Sequence, residues 1–205
     1  MRVLGVGGCC SGVGKTTVIC RLLEVLRGWG ALKVSPVHRN PASSSGAPLV
    51  NHGLEGTYRI DTGPGEAGSD TGRFDAAGAD RVAWLRSTPE RLGFALDEAL
   101  AGFSGMPGVV IEGNAPARER PPAGLLLVAR VGQREVKPSA RTLLARADWI
   151  VLNHGPGETA TFGGENASEV EREMGVSPRF VIDAATSADP GTAEFLEAIR
   201  AWARR

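Results

Sequence analysis

The segment Gly7-Gly8-Cys9-Cys10-Ser11-Gly12-Val13-Gly14-Lys15-Thr16-Thr17 constrains the fold more than any other part of this 205-residue chain. It follows an apolar run, residues 2–7, that reads as a buried strand. After it, Val18, Ile19, Leu22, Leu23 and Leu26 recur at helical spacing, and Gly28 and Gly30 supply the stop. A strand, a glycine-rich turn and a helix in that order read as a phosphate-binding loop. Phosphate oxygens need several inward-facing N–H groups, so the backbone must come close and take positive dihedrals, which glycine permits. Gly8, Gly12 and Gly14 meet that need, and Cys10, Ser11, Val13 and Thr17 complete the candidate nucleotide-binding set. Lys15 reaches the β- and γ-phosphates, the helix N-terminus adds partial positive charge, and Thr16 is placed to ligate Mg²⁺. Cys9 stands where the usual spacing has a glycine, five residues before Gly14, while Gly8 stands six before it. Two readings of the thiols stay open: small loop residues, or a Cys10 made redox-sensitive by the helix N-terminus and Lys15.

The rest of the chain alternates in the manner of a parallel α/β sheet. Residues 32–37 read as a second strand. Residues 39–72, rich in glycine, proline and serine, show no sustained period and read as a long irregular insert, a candidate substrate or lid segment. Regularity resumes with a helix near 73–79, a strand near 82–85 and a helix opened by Pro89. A strand at 109–111, a loop at 113–122, a strand at 125–131, a helix at 138–147 and a strand at 149–152 come next. A helix near 165–174, a strand at Phe180–Ile182 and a last helix from about Gly191 close the chain, the last with Phe195, Ile199 and Trp202 on one core-facing stripe. The expectation is a single nucleotide-binding domain, 1–205, with a mainly parallel sheet flanked by helices.

Two strand ends offer partners for the loop. The strand before Glu112-Gly113 ends in a carboxylate suited to hold Mg²⁺ directly or through water, with a strand-end ion pair as its alternative. The strand ending in Asn153 presents an amide that can read a purine edge by paired hydrogen bonds, with a simple turn cap as its alternative. A GTPase usually continues such an asparagine with lysine and, two residues on, aspartate; here His154-Gly155-Pro156 follows, so GTP and ATP both stay open. In the irregular segment Asp61 or Asp70 is the acid to position water or a metal-bound water, with no spacing that selects between them. Lys15, Glu112 and Asp61 form the candidate catalytic set, and Thr16 and Glu112 the metal set.

Composition limits the partners. The 23 basic residues cancel the 23 acidic ones, so no global field draws the chain to nucleic acid or to an anionic membrane. No run approaches the roughly 18 apolar residues of a membrane span, and three cysteines make no disulfide framework, so a cytoplasmic location is expected. Residues 117–146 carry seven bases against Glu119 and Glu135, and residues 55–80 carry six acids against Arg59 and Arg73. Opposed patches of this kind suit self-association, and the basic one suits a phosphorylated ligand or a merely solvated face.

These elements in this order resemble the SIMIBI class of P-loop NTPases over most of the chain. Within that class the chain is similar to the MobB family of molybdopterin-guanine dinucleotide biosynthesis adaptors. The likeness rests on residues 11–17, His38, Asp61, Asp70-Thr71-Gly72-Arg73, Ala77-Gly78-Ala79-Asp80 and the strand ending Glu112-Gly113. The resemblance implies the three-layer α/β P-loop NTPase fold, GTP binding with Mg²⁺, weak hydrolysis and a homodimer. It also implies a molybdenum-cofactor guanylyltransferase, or the apo-enzyme it serves, as partner. The loop spacing from Gly8 is similar instead to dethiobiotin synthetase and cobyrinic acid diamide synthase, ATP-dependent ligases that form carboxyl phosphates. Another cofactor or metal-centre maturation NTPase is the remaining alternative.

Overall fold

The computed structural model describes residues 1–37, 58–131, 135–155, 175, 178–186 and 188–205. The elements run β1 Arg2–Gly8, α1 Lys15–Val25, β2 Gly30–Pro36, β3 Tyr58–Thr62, α2 Asp70–Ala76 and β4 Arg81–Ser87. After a 3₁₀ turn at Pro89–Arg91 come α3 Leu92–Ala101, β5 Gly108–Glu112, α4 Asn114–Glu119, β6 Gly124–Arg130 and α5 Pro138–Leu144. β7 Trp149–Asn153, β8 Phe180–Ile182 and α6 Pro190–Ala203 complete the described chain. The eight strands form one sheet in the order β3-β4-β2-β5-β1-β6-β7-β8. All neighbours are parallel except β3, which runs antiparallel to β4.

Alternation along the strands sorts side chains onto two helical layers. Leu4, Val6, Leu126 and Val128 face α1, α2 and α6, where Val18, Leu22, Phe74, Phe195 and Ile199 cover them. On the opposite face Leu125, Leu127 and Ile150 pack with Ala140 and Leu143 of α5, and Leu32, Leu85 and Val109 pack with Leu92 and Leu96 of α3. Central strands buried on both sides need continuous apolar sequence rather than alternation, and Leu125 through Ala129 are all buried. The sheet with its two layers is the three-layer α/β architecture expected from the sequence. Phe195 and Ile199 are fully buried, and Trp202 of the same stripe packs edge-on against Trp149, centroids 5.5 Å apart.

Two sequence expectations are corrected here. The segment 39–72 is not irregular throughout: its described part contains β3 and the start of α2. Tyr58 and Ile60 pack partly against the α3 core while Arg59 and Asp61 form ion pairs, a period-two pattern only five residues long and hidden among glycines and prolines. Backbone pairing to β4, from Tyr58 opposite Ser87 to Thr62 opposite Ala83, makes it a strand. Residues 113–122 are not all loop, because α4 forms with Pro116 in its first turn, where a missing N–H costs nothing. The expected helix near 165–174 lies outside the described residues, as do 39–57 of the insert.

The last helix shows how a local signal is completed by a distant one. Asp189 caps α6 by accepting from the Thr192 N–H at 2.7 Å and the Thr192 hydroxyl at 2.9 Å, with Pro190 at the first position. The same carboxylate accepts from the Asp183 N–H, just beyond β8, at 3.3 Å. Burial would raise the Asp189 pKa, but the bonds from Thr192 and Asp183 outweigh it and hold it below the ordinary value. Asp189→Ala is expected to cost about 1–2 kcal/mol, read as a lower midpoint in urea at pH 7. Because the native pKa is depressed, this stabilisation is complete above the unfolded value of about 4 and is lost as pH falls through the native one. The gap between variant and parent therefore closes in acid, and a gap independent of pH would contradict the cap.

Candidate nucleotide site

β1 delivers the loop to the C-terminal edge of the sheet, between β5 and β6. Gly12 and Gly14 have φ of 72° and 89°, the left-handed region that a side chain disfavours, and Gly14 is the N-cap from which α1 starts. Turning the chain this way leaves the first N–H groups of α1 without intrahelical partners. Other parts of the fold hold the loop by its backbone. The Asn114 side chain clamps Gly8, accepting from its N–H at 2.8 Å and donating to its carbonyl at 3.0 Å. The Cys9 N–H donates to Val128 O and the Cys9 carbonyl accepts from the Lys137 N–H, both at 2.8 Å. The Asn153 amide donates to Val13 O at 3.0 Å and accepts from the Ala184 N–H at 3.1 Å.

Beyond the loop, acids and cations meet at the first turn of α1. Thr16 donates its hydroxyl to Asp70 at 3.0 Å, and Lys33 forms an ion pair with the other Asp70 oxygen. Arg73, one turn further along α2, donates to the Thr17 hydroxyl at 3.0 Å. Lys33 lies in register with Glu112 across the β2–β5 pair. Burial would raise the Asp70 pKa, but Lys33, with help from Thr16 and Arg73, holds it below the usual carboxylate range. Glu112 goes the other way: burial pushes it up and the Asp70 charge adds to that, against partial relief from Lys33, Lys15 and Arg73. Its Oε2 is buried with no hydrogen-bond partner among the described residues.

The site residues expected from sequence divide accordingly. Lys15, Thr16, Thr17, Glu112 and the loop glycines come together. Asp61 does not join them: it sits on the edge strand β3, paired with Arg59 and Arg86, whose guanidinium groups outweigh partial burial and lower its pKa. Asp70 is the acid beside the loop, and the capping turn from Ser69, which accepts from the Gly72 N–H at 3.1 Å, sets it at the start of α2. Asn153 is buried with both ends of its amide engaged, so it ties the loop to the end of β8. Cys9 fills the core under the loop, fully buried, its thiol pushed up to about 12 chiefly by burial, with Cys10 adding to the rise against Lys15. That makes Cys9 inert and explains a side chain where glycine is usual. The Asn114 clamp escaped the sequence reading, since no spacing rule links it to a loop 106 residues away. His38 lies outside the described residues.

The donor set fits Mg²⁺. Among the described residues no group of three His, Cys, Asp or Glu side chains forms a metal cage. Magnesium does not need one, because it binds through one or two carboxylates and completes its octahedron with phosphate oxygens and water. A threonine hydroxyl, the carboxylate hydrogen-bonded to it, and a buried carboxylate with an unpartnered oxygen are such a partial set. No helix among the described residues is long and apolar enough to cross a membrane.

No protein-family model and no curated protein matches the chain. Among solved structures it is similar to a chain of the MinC:MinD cell division protein complex of Aquifex aeolicus, over 97% of this chain and 86% of that one, at 13% identity and a TM-score of 0.51. MinD cell division protein from the same organism aligns over 96% and 86% at 10% identity and a TM-score of 0.48. A nucleotide-binding protein in complex with ADP from Archaeoglobus fulgidus aligns over 97% and 86% at 17% identity and a TM-score of 0.44. At such identities the likeness bears on fold alone, and the first of these matches carries it. Together with the sheet order, it gives this chain the three-layer α/β fold of the P-loop NTPases, with a mainly parallel sheet between two helical layers.

Proposed function

We propose that the chain binds a purine nucleoside triphosphate with Mg²⁺ and hydrolyses it slowly, as a MobB-like adaptor in molybdenum-cofactor biosynthesis that works as a homodimer. The observation that carries the nucleotide part is the convergence of Lys15, Thr16, Asp70 and Glu112 on the end of a glycine loop whose backbone is held from β5, β6 and β7. Lys15 neutralises the β- and γ-phosphates. Thr16, Asp70 and Glu112 hold Mg²⁺, which when bound screens the charge that builds between those phosphates. Of the two acids the sequence leaves open for positioning water, Asp70 stands beside the loop and takes that role. Slow turnover suits a site in which Asp70 is already committed to Thr16 and Lys33. The sequence likeness to MobB supports GTP and a guanylyltransferase or apo-enzyme partner. An ATP-dependent ligase is the second reading, favoured by the lysine that β2 brings beside Asp70 and Glu112.

Calorimetric titration with GTP and with ATP, each with Mg²⁺, tests the reading. Lys15→Ala is expected to weaken binding by about 10- to 100-fold, the loss of a charge-assisted contact to phosphate. Preference for GTP supports the adaptor, preference for ATP the ligase, and failure of the parent chain to bind either refutes both.

The choice between the two aspartates is tested separately. Glu112→Gln and Asp70→Asn are each expected to reduce the Mg²⁺-dependent gain in nucleotide affinity about tenfold, with little change in EDTA. Asp61→Asn leaves both affinities as they were. If Asp61→Asn alone abolished turnover, the catalytic acid would be Asp61 and not Asp70.

A further inference from the structure

Beside the loop lies a cavity of about 660 Å³, and most of its lining is not used by the nucleotide reading. It opens on the α3, α4 and α5 side of the C-terminal sheet edge, whereas Thr16 and Asp70 meet on the α1 and α2 side. Gly8, Cys10 and Lys15 form the wall it shares with the loop. None of its lining comes from β7, β8 or α6, so it is separate from the place where Asn153 ties down Val13. A ligand in the cavity and a nucleotide on the loop would therefore meet at the shared wall of Gly8, Cys10 and Lys15.

The lining has two characters. Val34, Pro36, Leu92, Ala115 and Pro116 give it an apolar side. Arg118 and Lys137 give it cationic groups at the mouth, with Glu119 as the single acid. Arg118 makes no ion pair among the described residues. Lys137 gives one of its three donors to Ser11 Oγ at 2.7 Å, so it links the cavity to the loop. The chain has only three lysines, and two of them, Lys15 and Lys137, line this space. Its size is that of an ordinary small-molecule pocket, in which an apolar body is buried and a few polar groups fix the orientation.

We infer that this cavity binds a second small molecule alongside the nucleotide, one with an anionic phosphate or carboxylate group held by Arg118 and Lys137 and an apolar body seated against Leu92 and Pro116. The inference rests on the nucleotide reading for its place beside the terminal phosphate, and it adds the class of the co-ligand. A nucleotide-only switch has no use for a built apolar pocket at that end. An adaptor or a ligase that handles a phosphorylated or carboxylated metabolite does.

The test is a fluorescence titration of the full chain with 1-naphthyl phosphate, an anion with an apolar ring system, in the absence and presence of saturating Mg²⁺ and whichever of GMP-PNP or AMP-PNP binds better. The probe is expected to bind while the nucleotide analogue stays bound. Arg118→Gln, at an exposed position, is expected to weaken the probe about fivefold or more, and Pro89→Trp, which fills the rim, to abolish its binding. Both variants keep the parent affinity for the analogue. Displacement of the probe by the analogue, or parent-like probe affinity in both variants, overturns the inference. A chain that binds the analogue but not the probe also overturns it and leaves the nucleotide reading standing. A chain that binds no nucleotide at all removes both.

Discussion

A phosphate loop works by holding backbone N–H groups apart from their natural partners before a ligand arrives, and everything around this one serves that constraint. Asn114 on Gly8, the Lys137 N–H on the Cys9 carbonyl, and Asn153 on Val13 each occupy a backbone group at the loop. Asn114 follows β5, Asn153 ends β7, and Val128 in β6 accepts from the Cys9 N–H, so the loop is held from three different strands of the sheet. Folding of the core and assembly of the site are thus one event.

Charge is balanced with the same economy. Glu112 is buried and raised toward its neutral form, while Asp70 is kept ionised by Lys33 and bonded to the Thr16 hydroxyl. The site holds an acid that burial makes costly to charge beside an acid already charged. A divalent cation would reverse that cost, since it would stabilise both carboxylates at once and free Lys33 from its present role as the ion-pair partner of Asp70. The Lys33 ammonium stands in for that charge in the free protein. On the other side of Lys15, the cavity is lined by Arg118 and Lys137 with Glu119 as its one acid, so the C-terminal edge carries paired acids on one side and an excess of cations on the other.

Much of the fold was legible because its signals are local. The apolar runs of β1, β5, β6 and β7, the spacing on α1 and the stripe Phe195, Ile199 and Trp202 on α6 each announce burial within a window of a dozen residues. The loop was legible for the same reason. β3 was not, because a five-residue alternating strand becomes one only by pairing with β4, whose sequence lies 19 residues or more downstream. Asp61 and Asp70 were indistinguishable in a segment without periodicity. Their roles separate only when β3 carries Asp61 to Arg86 at the sheet edge and α2 carries Asp70 to Thr16.

The sequence by itself determined that a glycine loop with Lys15 and Thr16 joins a buried strand to a helix, and that Glu112 and Asn153 each end an apolar strand. Those are matters of backbone freedom, periodicity and strand direction, all of which act over a few residues. Only the tertiary structure decided what the side chains at the sheet edge do. It made Asn153 a brace with both ends of its amide occupied, turned Cys9 into core, gave Asn114 to Gly8, and left one oxygen of Glu112 buried without a partner. A side chain's role at such an edge is set by which of its hydrogen bonds are already taken, and those partners lie up to 140 residues away along the chain.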